Sequence, residues 1–365
     1  MPLYTTIFET LKVDIEQGRY TKAFPSEAQL VTRFKASRQT VIRAMAELVK
    51  AGLVERHRGS GTVVSRRVRQ TLGRVGLLLP TLFSSPFTTA FASVCQEEGY
   101  TLLFRDLSAA DRGASERKED VPTVLAERAV AARAVALEMA EAKVSGVLMQ
   151  PVQGVPEAEH LNREILSAFR QRRIPVVLVD HDICPAPERS PCDLVCLDNF
   201  QAGYAVGRHL VERGAREIVF LRGGSQAPSV LARLHGLSAA VVAAGLGWDP
   251  ARNVFDGSAC DQDALARFVK KNRPDAIACS NDINAARVLR ILQAMKLKVP
   301  QQIRVAGFDD APHAALMTPS LTTVRQDFAR IARAAAQRLA WRIHHPDEPP
   351  MTLQLHGELI VREST

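Results

Sequence analysis

Ile7, Leu11 and Ile15 recur every four residues, which places three apolar side chains on one face of a helix that should stop near Gly18. Pro25-Ser26-Glu27-Ala28-Gln29 then reads as a second helix start: Ser26 caps free backbone N–H groups while Gln29, three positions on, reaches back as in a capping box. That helix runs to about Phe34. A third opens at Ser37-Arg38-Gln39-Thr40, carries Val41, Met45 and Leu48 as an inward stripe, and ends at Gly52. Two short β-prone runs, Leu53 to His57 and Thr62 to Val64, flank Arg58-Gly59-Ser60-Gly61, the pattern of a hairpin with a glycine-rich tip. Three helices and a hairpin, with a tight turn between the last two helices, are the parts of a winged helix-turn-helix.

From Arg74 the pattern changes to short β-branched runs alternating with helix-length segments, as in βα units with a mainly parallel sheet. Expected strands are Val75 to Leu79, Thr101 to Phe104, Gly146 to Met149, Pro175 to Val179, Ile218 to Arg222, Ala276 to Cys279 and Arg304 to Gly307. Helices are expected over Pro86 to Glu98, Ala158 to Arg172, Gln201 to Arg213, Ser229 to Ala244, Asp261 to Lys271, Ile283 to Met295 and Phe328 to Ile343. The Ala-rich stretch Glu116 to Lys143 reads as an extended helical insert. About 290 residues of this pattern exceed one sheet's usual size, so two doubly wound lobes are expected. The resulting fold class is α/β: an N-terminal winged helix-turn-helix (1–65), a basic linker (66–73) and a two-lobed, doubly wound parallel-sheet domain (74–365) for effector binding and dimerisation.

Charge sharpens the division. Residues 1–72 hold 13 Lys+Arg against 6 Asp+Glu, whereas the remaining residues hold 34 against 33. Nearly all the positive excess of this 365-residue chain therefore sits in one fifth of it, which suits a small module facing a polyanion. No run of 18 uncharged apolar residues is present, so a membrane span is not expected. The opening residues lack the order of a secretory signal, and the six cysteines include no C-x-x-C pair, so a cytoplasmic protein with reduced thiols is expected.

Pro25-Ser26-Glu27, Ser37-Arg38-Gln39-Thr40-Val41-Ile42-Arg43-Ala44, Gly52-Leu53-Val54 and Gly59-Ser60-Gly61-Thr62 together resemble the GntR-type DNA-binding domain over residues 3 to 65. The chemistry agrees. Arg38, Gln39 and Arg43 lie in the first half of the third helix, where side chains enter a major groove, and Arg33 and Lys35 flank it. The helix N-terminus and the hydroxyls of Ser37 and Thr40 suit phosphate. The resemblance implies that Arg38 and Arg43 make the main DNA contacts and that the wing, Arg58, Gly59, Ser60, Gly61 and Thr62, lies against the minor groove. Glu47 and Lys50 read as surface residues. The arginine-bearing segment Ser65 to Arg74 reads as a linker that also brushes phosphates.

A second resemblance covers nearly all of residues 74 to 361. Val75 to Pro80 with Ser85-Pro86-Phe87, Ile174 to Asp180, Leu197-Asp198-Asn199, Arg233-Leu234-His235-Gly236, Cys279-Ser280-Asn281-Asp282, Val305 to Asp310 and Leu321 to Gln326 are similar to the LacI/GalR-type sensor, which has the fold of type 1 periplasmic sugar-binding proteins. In an open parallel sheet the strand C-termini converge on a crevice where loop side chains are free to bind a ligand. Asp180, Asn281 and Asp309 follow such strands. Carboxylates, amides and a guanidinium suit a small polyhydroxylated compound, a sugar or sugar acid. The resemblance implies effector contacts at Arg233, Asn281, Asp309 and Gln326, with Asp180, Ser85 and Phe87 added; Ser85 stands where members often have Asn. Asp282 and Asp310 read as helix caps. Phe83 or Phe87 either stacks on an apolar ring face or packs in the core.

Catalytic motifs are missing: Gly223-Gly224-Ser225-Gln226-Ala227 falls short of a nucleophile elbow, and no dinucleotide fingerprint, Walker lysine or H-E-x-x-H occurs. Cys184, Cys192 and Cys196 near His181 are too irregularly spaced for a metal set, and His344-His345 reads as surface at a helix end. The expectation is a ligand-responsive transcriptional regulator, a repressor by the habit of both resembled families, with no enzyme activity, cofactor or metal. Its expected partners are a palindromic duplex operator, a sugar-like effector and a second copy of itself. The alternatives are a cytoplasmic small-molecule-binding enzyme and a transport-type binding protein, each with an accessory DNA-binding module.

Overall fold

The computed structural model describes residues 2–16, 19–20, 24–57, 61–65, 73–79, 84–104, 121–153, 155, 157–184, 187–224, 226–257 and 261–365. The basic segment folds as α1 (Leu3–Glu16), α2 (Glu27–Phe34), α3 (Arg38–Lys50) and the antiparallel hairpin β1 (Val54–His57) with β2 (Gly61–Val64), in register Val54 to Val64 and His57 to Gly61. Each apolar stripe read from the sequence is buried: Ile7, Leu11 and Ile15 meet Leu30, Val41, Met45, Leu48, Val54 and Val64 in one core. Burying such a side chain is worth roughly 1.5–3 kcal/mol, so this small core, and not helix propensity, holds the unit together. The Ser26/Gln29 capping box forms reciprocally, and Lys35, at φ 47°, supplies the left-handed residue that turns α2 into α3.

The remainder contains two six-stranded sheets. The first is made of β3 (Arg74–Leu78), β4 (Thr101–Phe104), β5 (Gly146–Met149), β6 (Val176–Val179), β7 (Asp193–Leu197) and β13 (Thr352–Leu355), in the order β13-β7-β6-β5-β3-β4. The second is made of β8 (Ile218–Leu221), β9 (Val254–Phe255), β10 (Ala276–Cys279), β11 (Arg304–Asp309), β12 (Thr322–Arg325) and β14 (Glu358–Ile360), in the order β14-β12-β11-β10-β8-β9. Every pairing in them is parallel except β12 with β14. The chain passes between the sheets three times: after Leu197, after Arg325 and after Leu355. The helix Phe328–His344 thus returns to the first sheet, where Ile331, Ala332, Ala335 and Leu339 pack on Val75, Leu77, Val177 and Val179.

The expected helices form within two residues of their anticipated ends, as do the expected strands. Two readings are corrected. The stretch read as an insert contains the helix Val121–Glu141, which is the crossover between β4 and β5; Ala132, Ala136 and Met139 are buried in the first-sheet core. Strands β7, β9, β12, β13 and β14 go beyond the expected set. β7 opens on a buried acid, Asp193, whose carboxylate is held by Arg338 and Arg342 from a helix some 145 residues away, so no local window reveals it as core. The expected linker residues 66–72 lie outside the described residues.

Candidate functional site

The recognition helix is built from its N-cap. Ser37 has extended backbone (φ −65°, ψ 151°), and its Oγ accepts from Thr40 N at 3.2 Å and lies 2.8 Å from Thr40 Oγ1. Both hydroxyls anticipated as phosphate ligands therefore also fix the helix end. Arg38 and Gln39 project from the first turn; the Arg38 side chain is 79% exposed and only 3.8 Å from Glu27, which also meets Arg56 at 3.2 Å. Exposed pairs of this kind are worth little, so one carboxylate between two arginines leaves the face positive. Arg43 is exposed one turn on, its guanidinium 4.0 Å from the centre of the Tyr4 ring.

Arg33 departs from expectation. It donates to buried Asp14 at 2.7 Å and to the Tyr20 hydroxyl, and its guanidinium rests over the Phe34 ring, so it ties α2 to α1 within the headpiece. Lys35 is exposed in the turn. In the wing, Gly61 has φ +87° and open space within 4 Å of where a Cβ would stand, while the Thr62 carbonyl accepts from Phe24 N at 3.4 Å. Arg58, Gly59 and Ser60 lie outside the described residues.

At the C-terminal strand ends, four of the anticipated effector residues converge. Arg233 is 4% exposed; its Nε donates to Asn199 Oδ1 at 2.8 Å, one terminal nitrogen donates to the Ser280 carbonyl at 2.7 Å, and the same nitrogen lies 3.7 Å from Asp309. Its guanidinium stands 4.8 Å over the Phe308 ring. Gln326 Nε2 donates to Asp309 at 2.6 Å. Burial pushes the Asp309 carboxyl up to about 7, with Arg233 opposing the rise and Asp282 and Asp180 adding to it. Asp180 ends β6 and accepts from Gln150 Nε2 at 3.0 Å. Asp180 and Asp309 have φ of 74° and 116°, a left-handed region that side chains other than glycine enter at a cost, and one often found at functional sites.

Two roles are exchanged relative to the sequence reading. Asn281 is the N-cap of the helix Asp282–Ala294, its Oδ1 accepting from Asn284 N at 2.9 Å. Asp282, expected to cap, is fully buried and accepts from Thr323 Oγ1 at 2.7 Å and Ala311 N at 2.9 Å; burial raises it to about 6. Asp310, also expected to cap, instead takes Arg362 at 2.6 Å and Arg325 at 2.7 Å; despite burial, those two guanidiniums hold it below the usual carboxylate range. Ser85 and Phe87 fall in the helix Ser84–Glu97, but their side chains, like Phe83, lie outside the described residues. His181 contacts Gln153 and the Asp182 carbonyl.

Sequence reasoning missed Asn199, Gln150 and the carbonyl of Ser280. The signal was available for Asn199, a buried amide directly after a strand. It also missed why Gly236 follows Arg233 by three. A Cβ on Gly236 would stand 2.0 Å from the Phe200 carbonyl, and one on Gly203 2.0 Å from the Arg233 carbonyl. These glycines let the helices Asn199–Glu212 and Pro228–Ala243 touch backbone to backbone, which sets Arg233 against Asn199. A separate cavity of about 940 Å³ opens at the other end of the first sheet, lined by Arg170, Pro175, Asp193 and Pro346 among others. The crevice at Arg233 is the stronger candidate because buried polar groups converge there.

Residues 3–64 match the model for bacterial regulatory proteins of the gntR family, and residues 208–365 match a periplasmic binding protein-like domain. The chain joins a GntR-type headpiece to a LacI-type sensor. It is 27% identical over 342 residues to the HTH-type transcriptional repressor PurR of Vibrio atlanticus, covering 91% of each chain. Against PurR of Mannheimia succiniciproducens the identity is 31% over 237 residues, 62% of this chain and 66% of that one. The structure of the transcriptional regulator CelR in complex with cellobiose shares the fold, with a TM-score of 0.63, 23% identity and 90% coverage of both chains. These relatives are regulators and not enzymes, and this GntR–LacI-type chain is a DNA-binding transcriptional regulator. Among the described residues no helix is long and apolar enough to cross a membrane.

Proposed function

We propose that this regulator is a repressor that binds a palindromic operator as a homodimer and takes a sugar or a related polyhydroxylated compound between its lobes. The headpiece reads DNA through Arg38, Gln39 and Arg43, with Ser37, Thr40, Lys35 and the wing residues Gly61 and Thr62 on the phosphates and minor groove. Two such helices related by a twofold axis read two half-sites and multiply the affinity of one. Arg233, Asp309, Gln326 and Asp180 form the effector pocket, with Asn281, Ser85 and Phe87 at its edge.

The observation that carries this reading is the direct bonding of the cleft pair to the segments between lobes. Asn199 opens the helix after the first crossing and holds Arg233; Gln326 lies in the second crossing and holds Asp309. A ligand that engages this pair acts on the elements that set lobe orientation, so closure can alter headpiece placement with a coupling of about 1–3 kcal/mol. The relatives named PurR are repressors, and the CelR structure holds a neutral disaccharide, in keeping with this role.

The test is a thermal-shift screen of sugars, sugar acids and nucleosides on the full chain, followed by operator binding with and without each hit. A ligand that raises the melting temperature should also change operator affinity, and Arg233→Ala should abolish both effects. Stabilising ligands whose effect survives Arg233→Ala would displace the pocket from this cleft.

A further inference from the structure

The deepest cation of the cleft has its charge already answered. Arg233 donates to Asn199 Oδ1 and to the Ser280 carbonyl and lies 3.7 Å from Asp309, all within the protein. The other arginines at the strand C-termini are likewise paired: Arg222 after β8 with Asp256 at 2.8 Å, and Arg325 at the end of β12 with Asp310 at 2.7 Å and Glu358 at 2.9 Å. Asp180 stands in addition to these, at the end of β6 in the other lobe, with the Gln150 amide donating to it and His181 Nε2 at 4.0 Å. Its charge already acts on Asp309. Among the described residues at these strand ends, carboxylates therefore outnumber the cations free to meet a ligand.

Resting on the reading of this crevice as the effector pocket, we propose that Asp309 sets effector class by charge: the pocket takes neutral, hydroxyl-donating compounds and rejects carboxylate- or phosphate-bearing ones. The geometry supplies the mechanism. A neutral polyol donates hydroxyl hydrogens to Asp180 and Asp309, whose oxygens accept, and bridges the two lobes as it does so. An incoming carboxylate meets two like charges and finds the guanidinium occupied; burying such a charge unpaired is costly, and like charges brought together cost several kcal/mol. Sugar acids, which the residue types alone would admit, are thereby excluded from the effector class.

The proposal makes Asp309→Asn a change of specificity and not only a loss. Asn keeps the shape, tolerates positive φ and leaves Arg233 with an uncompensated charge. The experiment is calorimetric titration of the full chain at about pH 8, where Asp309 is ionised, with ribose, cellobiose, gluconate and glucuronate. The wild type should bind a neutral sugar and neither acid, and Asp309→Asn should gain about tenfold or more for an acid, a change of about 1.4 kcal/mol. Asp309→Ser serves if the Asn variant does not fold. An acid binding the wild type as tightly as the neutral sugars overturns the proposal, as does a folded variant that gains no acid affinity. A wild type that takes none of the four, with an Asn variant that acquires gluconate, keeps the charge gate and removes the sugar reading of the cleft.

Discussion

Asn199 and Arg233 join the crossing between lobes to the floor of the cleft. The Arg233 Nε donates to Asn199 Oδ1 at 2.8 Å, and Asn199 Nδ2 donates back to the Leu197 carbonyl at the end of β7, at 3.0 Å. One amide thus spans the last residue of a strand in the first lobe and the guanidinium of a helix in the second. Rotation of one lobe against the other must carry this link with it or break it.

Asn199→Ala should uncouple the sensor. The substitution leaves a buried guanidinium N–H without its acceptor, which costs about 1–3 kcal/mol. Thermal unfolding should show that loss, and operator titrations should show a smaller ratio between effector-free and effector-bound affinity. A variant with wild-type stability and an unchanged ratio would place the coupling elsewhere.

Gly236→Ala should be destabilising although Ala is the better helix former. Propensity favours Ala by about 1 kcal/mol, but the new Cβ would lie 2.0 Å from the Phe200 carbonyl, a backbone atom that cannot step aside without moving the helix. Overpacking of this kind costs typically about 1–3 kcal/mol and sometimes more. Denaturant unfolding should give a lowered midpoint, and effector binding should weaken because Arg233 sits one turn before the clash.

Asp309 and Asp282 make stability fall as pH rises from about 4 to about 7. Their carboxyls stand near 7 and near 6 in the folded protein against an ordinary value of 3.8, so the folded state holds protons that the unfolded chain releases. Their stabilising contribution is complete below about pH 4 and is lost as pH passes through the folded values; each tenfold of proton affinity is worth about 1.4 kcal/mol. Burial lowers His209 and His344, which act with the opposite sign below their ordinary 6.5. The difference between wild type and Asp309→Asn isolates the carboxylate. Melting curves across that range should converge at the acid end, with the variant gaining on the wild type as pH rises; parallel curves would contradict the assignment.

What the sequence disclosed and what it withheld follow one division. Periodicity and caps are local, so the stripe Ile7, Leu11 and Ile15, the Ser26/Gln29 box and most β and α segments were legible. Asp193 and β7 were not, because the acid reads as surface until Arg338 and Arg342 arrive from a helix that follows much later. The same blindness reversed Asn281 and Asp282: both are good caps by residue type, and only the placement of Thr323 and the Ala311 amide decides which one turns inward. Arg33 reads as a DNA contact for the same reason, its charge being claimed by Asp14 on a neighbouring helix.

Arg33 and Arg43 should therefore fail in different ways when each is cut to Ala. Arg43 is exposed on the recognition helix, with only the Tyr4 ring beneath it, so its loss should leave the headpiece folded. If it reads a base by two hydrogen bonds, operator affinity should fall by about 1–3 kcal/mol, and preference at one base position should relax. A phosphate contact would instead weaken all sequences alike and reduce the salt slope by about one. Arg33→Ala removes the partner of a buried carboxylate, so the headpiece itself should unfold at lower temperature, and DNA affinity should recover on cooling. Circular dichroism melts of the two variants, set beside operator titrations at two salt concentrations, separate these outcomes; equal melting temperatures with equal losses of affinity would return Arg33 to the DNA surface.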